Sequence, residues 1–174
     1  MTNTNLSRAK KWLNSAISDI NRVLNDLERG DYADIAFRSQ FAVEKINKSI
    51  FNIFGIKIEK VHNPSTILDD FLKNVENLEI DDKIRSILEE LTADSKVFEN
   101  EGTKTRYGTI ERGELITAEE IYNSFEDIKY LLKKLDKIII NLVRFLKYSI
   151  KKDKKELEII NELNELRILI AKWI

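Results

Sequence analysis

The sequence has no cysteine, a single histidine, a single proline, a single methionine and five glycines in 174 residues. Without cysteine there is no disulfide, no thiolate metal site and no cysteine nucleophile. One histidine, His62, leaves a zinc site almost entirely to carboxylates, a donor set that zinc rarely takes alone. No metal and no cofactor is therefore expected. Charge of one sign is also lacking: 29 basic against 30 acidic residues give a net charge of −1, so no global field attracts nucleic acid or an anionic membrane. A local basic patch remains open. Long apolar runs are missing as well. The longest, residues 138–143, is interrupted by Asn141 and followed by Arg144 and Lys147, well short of the about 20 residues a membrane helix needs. Residues 1–12 are polar and lack the apolar stretch of a signal peptide. These absences point to a cytoplasmic protein away from membranes. The abundance of Ile, Lys and Glu hints at a thermophile. No phosphate-binding glycine motif, serine elbow or HExxH is present.

What is there is helix. Charged residues make up 34% and hydrophobic ones 43%, as in a helical protein with a real core. Residues 31–54 form the centre of the reading: Gly30 and Gly55 stop the helix on either side, Asp31 is a good N-cap, and Ile35, Ala42, Val43, Ile46, Ile50, Ile53 and Phe54 recur at helical spacing. Phe37 and Phe41 lie off that stripe, which suits a helix enclosed on several sides or one at a dimer seam. Before it, Trp12, Leu13, Ala16, Ile17, Ile20, Val23, Leu24 and Leu27 predict a helix over residues 6–29, antiparallel to the central one. Asp19 stands beside that apolar face, positioned to point inward. Asn63 and Pro64 start a third helix carrying Ile67, Leu68, Phe71, Leu72 and Val75. A fourth begins near Asp81 and runs past Phe98. Residues 100–116 read as one long loop. Thr117 and Glu120 make a capping box that opens a long fifth helix through Ile121, Phe125 and on to Leu146. Residues 151–155 read as a solvated break before a last helix from Leu157 to Trp173. Strand-like alternation is confined to residues 56–61. The fold class is all-α: an antiparallel up-and-down bundle over residues 6–149, with residues 150–174 as a helical extension packing on the bundle or on a dimer.

Few side chains suggest chemistry. His62 is the one histidine, a residue type suited to acid–base work, and beside a helix start it is either an acid–base group or a polar cap. Glu44 and Lys45 interrupt the most apolar helix. Glu44 with Lys48 has the order of a surface ion pair, or Glu44 makes a polar contact inside the bundle. Arg106 and Tyr107 sit in the long loop. An arginine there either binds phosphate or carboxylate through its planar fork or pins the loop to Glu44 or Asp19. Lys104, Arg106 and Arg112 are offset by Glu99, Glu101, Glu111 and Glu114, which argues against a nucleic-acid stripe in that loop. Phe37 and Phe41 read as an interface and not as a stacking array.

Taken in order, these features resemble the HEPN domain family. The likeness rests on Trp12, Leu13, Ala16 and Asp19 in the first helix, then on Glu28, Gly30, Tyr32, Ala33 or Ala36, Gln40, Ala42, Glu44 and Lys45. It continues with His62 before the third helix, Arg106 and Tyr107 after the fourth, and residues 117–120 opening the fifth. It covers about residues 6–143. The resemblance implies a bundle that dimerises and acts on RNA or nucleotides, as in toxin–antitoxin or defence systems, beside a small nucleotidyltransferase. Some members are metal-independent RNases with an arginine four to six residues before a histidine. Here residues 56–61 hold no arginine, and the Arg-Tyr-Pro of many relatives reads Arg106-Tyr107-Gly108. The expectation is a non-catalytic or weakly active homodimeric binding module, with Asp19, Glu44, Lys45, His62, Arg106 and Tyr107 as binding residues. The alternatives are an RNase rebuilt from His62 and Arg106, or a purely structural bundle.

Overall fold

The computed structural model describes residues 3–56, 58, 61–74, 80–149 and 154–174. Helix α1 spans Asn3–Arg29 and α2 spans Tyr32–Ile53. Gly30, at φ 73°, reverses the chain between them, in a left-handed conformation that only glycine adopts cheaply. The Asp31 carboxylate then accepts from the Asp34 amide at 3.1 Å and caps α2. At the far end, the Ile56 amide donates to Phe51 and the Gly55 amide to Asn52, with Gly55 at φ 83°. This is the paired hydrogen-bond closure that ends many helices at a glycine. Lys48 against Trp12 at one end and Lys45 against Asp19 further along show that the two helices run antiparallel.

The remaining elements wrap α2. Helix α3 (Pro64–Asn74) packs on α2 and on α4 (Asp82–Glu101). Helix α7 (Phe125–Ser149) covers α4 and α2, and α8 (Lys154–Ala171) packs on α7 and α1. The buried residues Ile160, Leu163, Leu166 and Ile170 of α8 join the same core as Ile46, Ile50, Leu88 and Leu142. Because α2 is enclosed, its polar residues must find partners inside. The Asn47 amide nitrogen donates to Ser95 on α4 at 3.0 Å and to its own helix at Val43, which satisfies a group that would otherwise cost stability when desolvated, while its Oδ1 is buried without a hydrogen-bond partner. No described helix is long and apolar enough to cross a membrane.

Three expectations change. Residues 100–116 are not one long loop. Asn100 and Glu101 belong to α4, a one-turn helix α5 covers Lys104–Tyr107, and strands β1 (Thr109–Glu111) and β2 (Glu114–Ile116) form an antiparallel hairpin with Ile110 opposite Leu115. Its two-residue turn has Arg112 at φ 53° and Gly113 at φ 88°, the twist that two-residue hairpins require. Second, the capping box of Thr117 and Glu120 is present but opens only the short α6 (Ala118–Ile121). The chain breaks there because Tyr122 turns into the core and donates its hydroxyl to Glu101 at 2.7 Å. Helix α7 has its own start, in which Ser124 donates to Asp127 from both its amide and its hydroxyl. Third, Leu157 and Trp173 are exposed and not part of the buried face of α8. The break at residues 151–155 falls mostly, and Val75 and three residues of the 56–61 stretch wholly, outside the described residues.

Two stability predictions follow from these corners. A Cβ at Gly108 would meet the Ile116 carbonyl oxygen at 2.0 Å at a φ of 70°, whereas one at Gly113 meets nothing. Gly108→Ala should cost about 2–3 kcal/mol in chemical denaturation and Gly113→Ala only about 1. Equal losses would contradict the close approach. Asp26 is only 7% exposed and one of its carboxylate oxygens has no hydrogen-bond partner. Burial, then the nearby Asp34 and Asp31, raise its pKa above 3.8. A raised carboxyl pKa means the folded state holds its proton more tightly, so the charged form opposes folding above that pKa. Asp26→Asn should therefore raise the melting temperature at pH 7, and the gain should shrink as the pH falls toward 4.

Candidate functional site

One stripe of α2 runs through Phe37, Phe41, Glu44 and Lys48 at helical spacing, half-buried at the first three and buried at Lys48. Glu44 is its pivot. Its side chain is 11% exposed, and Oε1 accepts from Lys48 Nζ at 2.6 Å. Both side chains are enclosed, so this is not the surface ion pair the sequence suggested. Oε2 faces two other groups: Arg106 Nη2 at 3.5 Å and His62 Nδ1 at 3.9 Å. The structure thus brings His62 and Arg106, distant in sequence, to the same carboxylate oxygen.

Each is placed by local structure. Arg106 rides on α5, whose Thr105 hydroxyl donates to Gln40 Oε1 of α2 at 3.0 Å. A Cβ at Gly102 would come within 2.6 Å of the Nε2 of the same Gln40, so a side chain there would push on the amide that seats α5. The Arg106 guanidinium carbon lies 5.0 Å from the centre of the Phe41 ring. Its Nε is buried without a hydrogen-bond partner, as is Glu44 Oε2. The pair is therefore attractive but unsaturated. Its long contact leaves hydrogen-bonding capacity on both sides, which costs free energy in a low-dielectric setting. His62 precedes α3, whose first turn is held by Glu99: the Ser65 amide donates to Oε1 at 2.6 Å and the Thr66 hydroxyl to Oε2 at 2.9 Å. A carboxylate at a helix N-terminus is favoured by the helix dipole. The His62 ring itself is 72% exposed.

The other expected residues divide. Asp19 does point inward. It is buried and pairs with Lys45, with Arg22 Nη1 at 3.7 Å and Arg38 Nη1 at 3.9 Å behind. It does not meet Arg106; Phe41 stands between them, with the Lys45 ammonium 5.7 Å from its ring centre. Tyr107 is 74% exposed and makes no contact with Glu44. It lines an open groove of about 850 Å³ together with Asp34, Phe37, Phe41, Arg106 and Glu119. Phe37 and Phe41 pack on one another at 4.6 Å on the floor of that groove. Among the described residues no cluster of acidic or histidine side chains could hold a metal ion.

Sequence reasoning missed the enclosure of Lys48 and the place of Phe41 as a bed for two cations. The signal was present: two rings, Phe37 and Phe41, are followed by two cations, Lys45 and Lys48, all at one-turn spacing. Chemically, the arrangement offers an anion a cationic fork at Arg106, an imidazole at His62 and aromatic surface beside them.

Neither a curated protein nor a solved structure matches the chain significantly. A family model described as the HEPN domain matches residues 9–138, a span that includes both antiparallel helices, His62, Arg106 and most of α7. With the ordered features of the sequence and the helical bundle in place, the chain belongs to the HEPN domain family.

Proposed function

We propose that this HEPN protein is a non-catalytic homodimeric module that binds single-stranded RNA or a nucleotide in the open groove beside Phe37, Phe41 and Arg106. One observation carries the reading. Arg106 is fixed over Phe41 with unsaturated hydrogen-bonding capacity, next to an exposed histidine and an open groove. A phosphate entering there gains a charge-assisted bond from the guanidinium and a base gains the rings of Phe37 and Phe41. Dimerisation is supported by Tyr107, Ile110 and Leu115, which are exposed around α5 and the hairpin. A second copy covers such a surface in solution, and a small nucleotidyltransferase is the alternative occupant in a paired toxin–antitoxin or defence system.

A labelled single-stranded RNA should raise its fluorescence anisotropy with the protein, and Arg106→Gln should weaken that binding about tenfold, the loss of one charge-assisted contact. Sedimentation at micromolar concentration should show a dimer. An RNA that never binds, or a strict monomer, sinks the reading.

A second reading is favoured by one specific feature, the convergence of His62 and Arg106 on Glu44 Oε2. In a metal-independent RNase, His62 would take the proton of a ribose 2′-hydroxyl as that oxygen attacks the adjacent phosphorus. Arg106 would stabilise the added negative charge while the 5′-oxygen leaves with a proton. The binding reading expects no cleavage of RNA in a chelator. Cleavage that disappears in both His62→Ala and Arg106→Ala, with helical content unchanged, would instead establish the enzyme.

A further inference from the structure

Cations lie over rings along α2, and the last of these contacts crosses to α1. The Arg38 guanidinium lies 5.5 Å from the Phe37 ring centre. Arg106 and Lys45 lie 5.0 and 5.7 Å from Phe41. Lys48 lies 5.1 Å from Trp12. The same Lys48 ammonium donates to Glu44, so the indole is one side chain away from the Arg106 and His62 cluster. At Trp12 the line does not end against protein. An open groove of about 340 Å³ is lined there by Arg8, Lys11, Trp12 and Ser15. Arg8 and Lys11 are exposed, and no carboxylate lines the groove.

We propose that Trp12 is a stacking site for one base of a single-stranded RNA, with Arg8 and Lys11 taking the phosphates beside it. The inference rests on the RNA-binding reading above and extends the strand from Arg106 across Lys48 to the N-terminal part of α1. The chemistry selects the ligand. A flat ring flanked by two exposed cations suits a group that is itself flat and anionic by turns, which is what a nucleotide strand presents. An apolar ligand has no use for the cations, and an acidic peptide has none for the indole. A duplex keeps its base faces stacked inside, so the ligand is single-stranded. Among the described residues, the Ser15 hydroxyl and the Trp12 indole N–H are the uncharged hydrogen-bonding groups of the side chains lining the groove, so the site reads base identity weakly. Arg8, Lys11 or Trp12, and Ser15 follow one another at three- and four-residue spacing, which sets them on one face of α1.

The test uses the two tryptophans. Trp173 is exposed beyond α8, so Trp173→Phe leaves Trp12 as the single indole. Titration of that protein with a mixed-sequence single-stranded RNA should quench the Trp12 emission in step with the anisotropy of the labelled strand. Trp12→Leu should weaken binding about tenfold and Trp12→Phe should restore most of it, with thermal melting run beside them. Replacing Arg8 and Lys11 by Gln should flatten the plot of log affinity against log salt by about 1.4, two phosphates at about 0.7 each. Saturated binding without a change in Trp12 emission would overturn the proposal while leaving the RNA-binding reading intact. The same holds if Trp12→Leu binds as tightly as the parent, or if a duplex competes equally. A parent protein that binds no RNA overturns both.

Discussion

Glu44 is a carboxylate on the most enclosed helix of the fold, and much of the surrounding architecture answers to that. A charge so placed has to be paired, because an uncompensated buried ion costs several kcal/mol. Lys48 supplies one partner from the next turn. The second oxygen has no partner on its own helix, and the chain brings two from elsewhere, Arg106 on α5 and His62 ahead of α3. The devices that place them are themselves local necessities. Gln40 anchors α5 through Thr105, Glu99 holds the start of α3, and glycines at 102 and 108 permit contacts that a Cβ would block. Remove the carboxylate and these connections lose their common endpoint.

The helical skeleton was legible because its signals are local. Gly30, Asp31 and Gly55 set the ends of α2, and the apolar spacing named the buried stripe. Where local rules competed, the reading failed. Thr117 and Glu120 form a valid capping box, yet the helix it opens lasts one turn. Tyr122 finds Glu101 across the fold, a long-range contact that no window of sequence displays. The second start, Ser124 with Asp127, carries the same S-x-x-D pattern and was readable. The hairpin was missed because Ile110 and Leu115 are exposed rather than alternating into a core, leaving Arg112-Gly113 as its sole cue.

The site was legible as a set of residues but not as an arrangement. Glu44, His62 and Arg106 stood out by type and neighbourhood, and the choice of Glu44 over Asp19 as the anchor of Arg106 belongs to tertiary packing. The net charge of −1 concealed more. It averages over faces, and here Asp19 is sunk beneath Lys45, Arg38 and Arg22, so that its charge is spent inward while the cations remain outside. Arg38 also pairs with Asp34 at 3.2 Å and Lys48 with Glu44 at 2.6 Å, so the composition gives the balance of charge but not this pairing.

This arrangement bears on how an anion could enter. A phosphate approaching Arg106 meets Glu44 as a competitor, and like charges at such range repel strongly in a partly desolvated setting. The competition is uneven. Glu44 holds Lys48 at 2.6 Å through one oxygen, while its contact with Arg106 through the other is long and lacks a hydrogen bond. Glu44 can keep its lysine and surrender the arginine. The guanidinium, supported from below by Phe41, would then pass to the incoming phosphate without unburying a bare carboxylate. A structural pin would be expected to have the opposite geometry, a short bidentate bond to arginine with nothing left over. The long contact is what the proposed binding of a phosphate at Arg106 draws on.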